Sequence, residues 1–417
     1  MFTNAKDAIY YIENIKRNGR RENLSRMEYA LKLLGNPEKS FSSVHIAGTN
    51  GKGSTVAYLS CLLQELGYKV GSFVSPYVVK FNERIEINNQ YISDEDLIKY
   101  ANKVKEVCDI IYQEKNDIVT FFEFLTLLGF LYFKEQGVDF ALVEVGMGGI
   151  LDATNVIDAS IRIITNIGFD HMSVLGNTLE EIADKKLGIV HKDDILVSAV
   201  DVSLRPYFKE KMTGITDNIY FTDPENIKIN WQETTFTFDG ETYNTPLLGA
   251  FQAYNASLAI KAVKLLFNMD CNSINKALAK VKWAGRMQIV NDKPLTVIDG
   301  GHNIHGINAL VSSLALLKGK RYVRTIFTAL KDKETKKMID KLSEITDEFI
   351  FTEIDDIRKK EAILLKEETL EKATVITDYK EAIRKCLALS KADDILVITG
   401  SLHFISEVIK FFDKQDK

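Results

Sequence analysis

Two hydrophobic rhythms alternate along this chain. Short runs apolar at consecutive positions, SVHIAG (43–48), KVGSFV (69–74), VDFALVEV (138–145), SIRIITNI (160–167) and DILVSA (194–199), read as strands of a parallel sheet covered on both faces. Between them apolar positions recur at helical spacing. GKGSTVAYLSCLLQELG (51–67) closes on Gly67, which suits a left-handed cap; Asp94 to Glu114 follows a Ser93 cap; Thr120 to Gln136 and Thr178 to Val190 follow, the last behind a Thr178/Glu181 capping box. Strand alternating with helix predicts an α/β doubly wound domain.

IKINWQETTFTFDGETYNTPL (227–247) breaks the rhythm with polar and apolar residues in alternation around Asp239-Gly240, a hairpin signal. This small antiparallel element is expected to close the first domain. A helix from Phe251 to Asn268 follows, then a segment ending WAGRMQIV. A second α/β series begins at PLTVIDGGHN (294–303) and continues through YVRTIFTAL, EFIFTEI, TVIT and DILVITGS. The expected domains are therefore 1–290 and 291–417, the second a smaller Rossmann-like unit, with a cleft where ligand would sit.

With 417 residues, two domains are the natural division. The first twenty residues form an amphipathic helical pattern rather than a signal peptide. The longest apolar stretch, Phe121 to Phe133, contains Glu123 and falls short of the roughly 20 residues that span a bilayer. Basic and acidic side chains nearly balance, 53 against 58, with no basic block to track a nucleic-acid backbone. Four scattered cysteines lack metal-type spacing and suit a reducing compartment. The expectation is a cytoplasmic, monomeric enzyme with no nucleic-acid or membrane partner.

Candidate chemistry starts at HIAGTNGKGST (45–55). A common phosphate loop needs glycine where Ile46 stands, and here Gly53 separates Lys52 from Ser54. Even so, Gly48, Gly51 and Gly53 lie between a buried strand and a helix, where bare N–H groups wrap phosphate oxygens and Lys52 reaches the β and γ phosphates. The competing reading is a tight glycine turn with an exposed lysine. Glu144 ends a buried strand before Gly146, Gly148 and Gly149, which makes it a magnesium-ligand candidate or a turn cap. Asp170-His171 follows SIRIITNI at the same sheet edge; alone, such a histidine is an ordinary loop residue. In TLEEIADKKLGIV, Lys186 shares a helix face with Ile182, Ile189 and Val190, so it points toward the core. Most helix lysines snorkel, but a desolvated amine has a lowered pKa and reacts with carbon dioxide to a carbamate. Asp299, His302 and Ser401 lie at strand ends of the second domain and also fit turn chemistry. Arg286 in WAGRM fits a nucleotide phosphate or a surface acid equally well.

These motifs resemble one family, the folylpolyglutamate and dihydrofolate synthases, ATP-dependent ligases related to bacterial Mur ligases. The resemblance runs in order through GTNGKGS, SPYVVKFNERI, TFFEFLT, EVGMGGILDATN, TNIGFDHMSVLGNTLEEIADKKLGIV, GAFQAYNA, WAGRMQIV, DGGHNIHG and ITGSL. It implies that Gly48, Thr49, Asn50, Gly51, Lys52, Gly53 and Ser54 hold ATP, and that Ser75, Glu144, His171 and a carbamylated Lys186 surround Mg2+. It further implies that Asn255, Arg286 and Asp299 contact the nucleotide, that His302 and Ser401 place L-glutamate, and that Asp152 and Ala153 meet the folate or dihydropteroate. Lys52, Glu144, His171, Lys186 and His302 would then carry catalysis.

The chain departs from the family at Tyr77, Ile150 and Phe251, where many members have histidine, arginine and histidine, and at Gly301 and Ile304, where Ala and Pro are usual. None is a proposed metal ligand or the phosphate lysine. The expected reaction is addition of glutamate to reduced folates and to dihydropteroate through an acyl phosphate, releasing ADP and phosphate. One alternative is a Mur-type ligase acting on a peptidoglycan precursor, although the segment before Ser43 is shorter than the extra domain such ligases carry there. A regulatory P-loop nucleotide hydrolase is the other.

Overall fold

The computed structural model describes residues 1–16 and 23–414. The amphipathic N-terminal pattern folds as a helix over Ala5–Asn14 behind an Asn4 cap; its expected continuation through 17–20 lies outside the described residues. The chain divides into two compact units, 1–223 with 254–278 and 224–253 with 279–417.

An eight-stranded sheet organises the first unit: β1 (Ser42–Ala47), β2 (Val70–Phe73), β3 (Ile85–Ile87), β4 (Gln90–Tyr91), β5 (Phe140–Glu144), β6 (Ile161–Ile164), β7 (Leu196–Ser198) and β8 (Ile219–Phe221). Their order is β4-β3-β2-β5-β1-β6-β7-β8, parallel except for β3 and β4. The chain passes from β1 to β2 on one side and from β6 to β7 on the other. The winding therefore reverses beside β1, the position where open α/β sheets bind ligands at their carboxyl edge. The central strands β2, β5, β1, β6 and β7 are buried along nearly their whole length, as their consecutive apolar residues require.

Helices form where the periodicity places them. Asp94–Lys115 starts behind Ser93, whose hydroxyl accepts the Asp96 N–H; Phe121–Glu135 carries a Thr120/Glu123 capping box; Leu179–Leu187 carries the Thr178/Glu181 box. Phe124, Phe130 and Phe133 of the apolar helix join Phe73 in a core that also takes in Ala8, Ile12 and Leu31 from the N-terminal helices.

In the second unit, β9 (Glu225–Ile229), β10 (Thr234–Phe238) and β11 (Glu241–Thr245) form a separate antiparallel sheet. Asp239 and Gly240 both have positive φ, 49° and 79°, as a tight two-residue hairpin turn requires. A six-stranded sheet has the order β12-β13-β17-β14-β15-β16, built from β12 (Gln288–Asp292), β13 (Leu295–Asp299), β14 (Val323–Phe327), β15 (Glu348–Glu353), β16 (Ala373–Asp378) and β17 (Ile395–Thr399).

The division differs in two ways from the single boundary at 290/291. β12 pairs antiparallel with β13, so the second sheet starts before Asn291. The hairpin sheet belongs to the second unit, because Trp231, Leu248 and Phe251 pack with Met287, Leu310 and Val311.

Candidate active site

The loop after β1 is fastened to the loop after β6. Thr49 donates its N–H to the Asn166 carbonyl at 3.0 Å, Asn50 N–H reaches the Asn166 side chain at 2.9 Å, and the Thr165 hydroxyl donates to the Asn50 carbonyl at 2.6 Å. Gly48 has φ 143°, and a Cβ there would stand 1.8 Å from Thr165 Oγ1. Gly51 has φ 85°, and a Cβ would meet Asn255 Oδ1 at 2.2 Å. Both positions need glycine for conformation and space. Helix Lys52–Glu65 starts here, with its positive end at the loop. Ser54 is buried in the first turn.

Lys52 Nζ lies 3.8 Å from Glu144 Oε1 and donates to the carbonyls of Gly48 and Thr49 at 3.2 and 3.3 Å. Glu144, buried at the end of β5, accepts the Ser75 N–H at 3.3 Å. The Ser75 hydroxyl accepts from Arg84 at 3.0 Å, and the Arg84 guanidinium sits over the rings of Tyr77, Phe121 and Phe81. Lys186 is buried as the helix face indicates, and its Nζ donates to the same Gly48 carbonyl at 2.8 Å. Burial, with the neighbouring Lys52 charge second, lowers its pKa to about 7 against the pull of Asp170 and Asp152.

Asp152 acts electrostatically on Lys186, and so does Asp170, the residue before His171. His171 is exposed, with φ 48°, ahead of the short helix Met172–Leu175. Asp152 and Ala153 are buried, and the Asp152 carboxylate accepts the N–H groups of Met147 and Thr154 and the Thr154 hydroxyl. Among the described residues no group of three or more His, Cys, Asp or Glu is arranged to hold a metal ion. Glu144 remains as one carboxylate beside Lys52. That donor set fits Mg2+, which takes one or two carboxylates and completes its shell with phosphate and water.

In the second unit, the ends of β13 and β17 gather the remaining candidates. Asp299 is buried and accepts the N–H groups of Met287 and Gly301 at 3.0 and 2.8 Å; burial raises its pKa, with Arg286 the leading counterweight. Arg286 lies over Gly300, where a Cβ would be 2.6 Å from its NH1. His302 Nδ1 is 3.0 Å from the Gly300 carbonyl, which only accepts, so Nδ1 carries the proton. Ser401 stands at the N-cap of helix Leu402–Asp413, one residue after the Gly that follows β17.

Sequence reading passed over Thr165, Asn166, Arg84, His45 and Arg162. The last two had a signal: a polar residue inside a strand covered on both faces must find a buried partner.

A phosphate loop at the switch point, a lysine and a carboxylate facing it, and a second α/β unit define a class, the ATP-dependent ligases of Mur type. The family comparison agrees: residues 46–263 match the Mur ligase middle domain and 285–402 the Mur ligase glutamate ligase domain. Within that class the chain belongs to the folylpolyglutamate synthase/dihydrofolate synthase family. It is 34% identical to the dihydrofolate synthase/folylpolyglutamate synthase of Bacillus subtilis, covering 98% of this chain and 99% of that one. The folylpolyglutamate synthase of Mycobacterium tuberculosis complexed with ADP superposes with a TM-score of 0.91 at 26% identity, covering 98% of each chain. Escherichia coli FolC in complex with DHPP and ADP gives 0.89 at 25%, covering 100% of this chain and 99% of that one.

Proposed function

We propose that this enzyme joins L-glutamate to a folate-type carboxylate at the expense of ATP, accepting both reduced folates and dihydropteroate. The observation that carries the reading is the convergence of Lys52, Glu144 and Lys186 on the phosphate loop. The relatives support the substrate class: one solved structure is an FPGS–AMPPCP–folate complex, 29% identical with a TM-score of 0.86.

The substrate carboxylate attacks the γ-phosphorus of ATP and expels ADP, and the glutamate amine, losing a proton, opens the resulting acyl phosphate to give an amide and inorganic phosphate. Lys52 and the loop N–H groups offset charge on the phosphates as carboxylate oxygen approaches. Glu144, with Ser75 and His171 as the other proposed neighbours, would hold Mg2+, which would offset further phosphate charge. Lys186, whose amine is easily deprotonated, is the proposed carbamate carrier. Asn255, Arg286 and Asp299 are assigned to the nucleotide, His302 and Ser401 to glutamate, Asp152 and Ala153 to the pteridine. No helix of the described residues is long and apolar enough to cross a membrane. The proposal takes the enzyme as a cytoplasmic monomer.

Lys52→Ala and Glu144→Ala are expected to lower glutamate-dependent ADP release about a thousandfold while the folded spectrum persists. Near-normal turnover in either variant rejects the assignment.

A further inference from the structure

A chain of buried polar groups runs through the first sheet to the loop that carries Asp152. Parallel register sets His45 of β1 beside Arg162 of β6. Both are fully buried, and Arg162 is anchored by Asp194, whose carboxylate accepts from its Nε at 2.8 Å. The Arg162 NH2 is shared by the Ile157 carbonyl and His191 Nδ1, at 3.1 Å each.

Hydrogen-bond chemistry gives this chain one direction. A guanidinium only donates, so His45 Nδ1, 3.0 Å from Arg162 NH1, must accept. The ring proton then sits on Nε2 and is donated to Thr154 Oγ1 at 2.8 Å. The Thr154 hydroxyl passes its own proton toward Asp152 Oδ1 at 2.6 Å, and the other Asp152 oxygen accepts the Met147 N–H at 3.0 Å. A doubly protonated His45 would turn a donor against Arg162, and its pKa is held well below the usual histidine value by burial first and by Arg162 next.

The far end of the chain is the loop between Glu144 and β6. It turns Asp152 inward yet leaves Met147, Ile150 and Leu151 exposed at 44%, 50% and 38%. Its outer part is tied to helix Leu179–Leu187 through the Ile150 N–H to Lys185 carbonyl bond, 3.1 Å, and through Asn155 to the Gly188 carbonyl, 3.0 Å. Apolar side chains outward and the carboxylate inward suit contact with a flat ring system.

We propose that His45, Arg162 and Thr154 are positioning residues for the pteridine: they hold the 146–155 loop in its ring-binding shape from within the sheet. This rests on the folate-ligase reading above. Burying an arginine in a sheet is costly unless each of its donors is used, and here one of them leads through His45 and Thr154 to the loop that carries Asp152.

The test measures ADP release with ATP, L-glutamate and dihydropteroate in wild type, Thr154→Val, Thr154→Ser and Asp194→Asn. Thr154→Val keeps the side-chain volume and removes the hydroxyl. KM for dihydropteroate is expected to rise about tenfold, the weight of one net hydrogen bond. KM for ATP should stay within about twofold, because uniform binding is lost only for the ligand the loop touches. Thr154→Ser, which keeps the hydroxyl, should restore wild-type KM. Asp194→Asn, at the outer end of the chain, should raise the dihydropteroate KM about threefold, and it decides the matter if Thr154→Val does not fold. An unchanged dihydropteroate KM, or an ATP KM rising in step with it, overturns the inference and leaves the ligase reading standing. Wild-type enzyme with no pteridine-dependent ADP release removes that reading and the inference together.

Discussion

Lys186 illustrates how much one helical residue discloses. Its place on the Ile182 face indicated burial, and the amine is buried, donating to Gly48. The folded pKa is about 7, below the ordinary lysine value of 10.5. At pH below 7 the ammonium is charged in both folded and unfolded chains, so its burial cost is felt in full; as pH rises from 7 toward 10.5, the unfolded chain binds the extra proton and that cost is relieved. Lys186→Met should therefore melt above wild type at pH 6, with the gap narrowing toward pH 10, as read by thermal unfolding across that range. A constant gap would mean the amine is not desolvated in the folded chain. Asp152 was named only through the family resemblance, and its inward orientation was not legible, since loop bonds to Met147 and Thr154 depend on backbone turns that a sequence does not display. His45 and Arg162 were hidden inside runs that looked uniformly apolar; only strand register makes them neighbours.

At the level of elements, strands and helices followed from periodicity because burial on both faces and amphipathic spacing leave little choice. The capping boxes at Thr120 and Thr178 were likewise readable from residue spacing alone. The phosphate loop was legible as a loop, but its attachment to the 165–168 segment was not. That attachment makes the loop rigid, and Gly48→Ala should test it. The added Cβ would strike Thr165 Oγ1 in a left-handed backbone, so ADP affinity by calorimetry should fall about 5- to 150-fold, the scale of 1 to 3 kcal/mol of strain. Thr165→Ala in the same chain, by opening that space, should recover part of the loss. An unaffected affinity in Gly48→Ala would mean that the loop adjusts freely. The hairpin sheet was correctly read as antiparallel but assigned to the wrong neighbour, since which core receives Trp231 is a tertiary fact.

At the scale of the whole molecule, ordered motifs from Gly48 to Ser401 indicated the family before any packing was known, and coverage of nearly the whole length of relatives agrees with it. What could not be read is the preferred pteridine, because Tyr77 and Ile150 depart from the family pattern. The reaction itself has a direct signature. Dihydropteroate labelled with 18O in its carboxylate should be incubated with the enzyme, ATP and L-glutamate, and the released phosphate and pteridine product weighed by mass spectrometry. The account expects ADP release only when all three substrates are present, a pteridine heavier by one glutamyl residue, and one 18O transferred to each phosphate. Phosphate free of label, or ADP released from ATP without glutamate and pteridine, would contradict it.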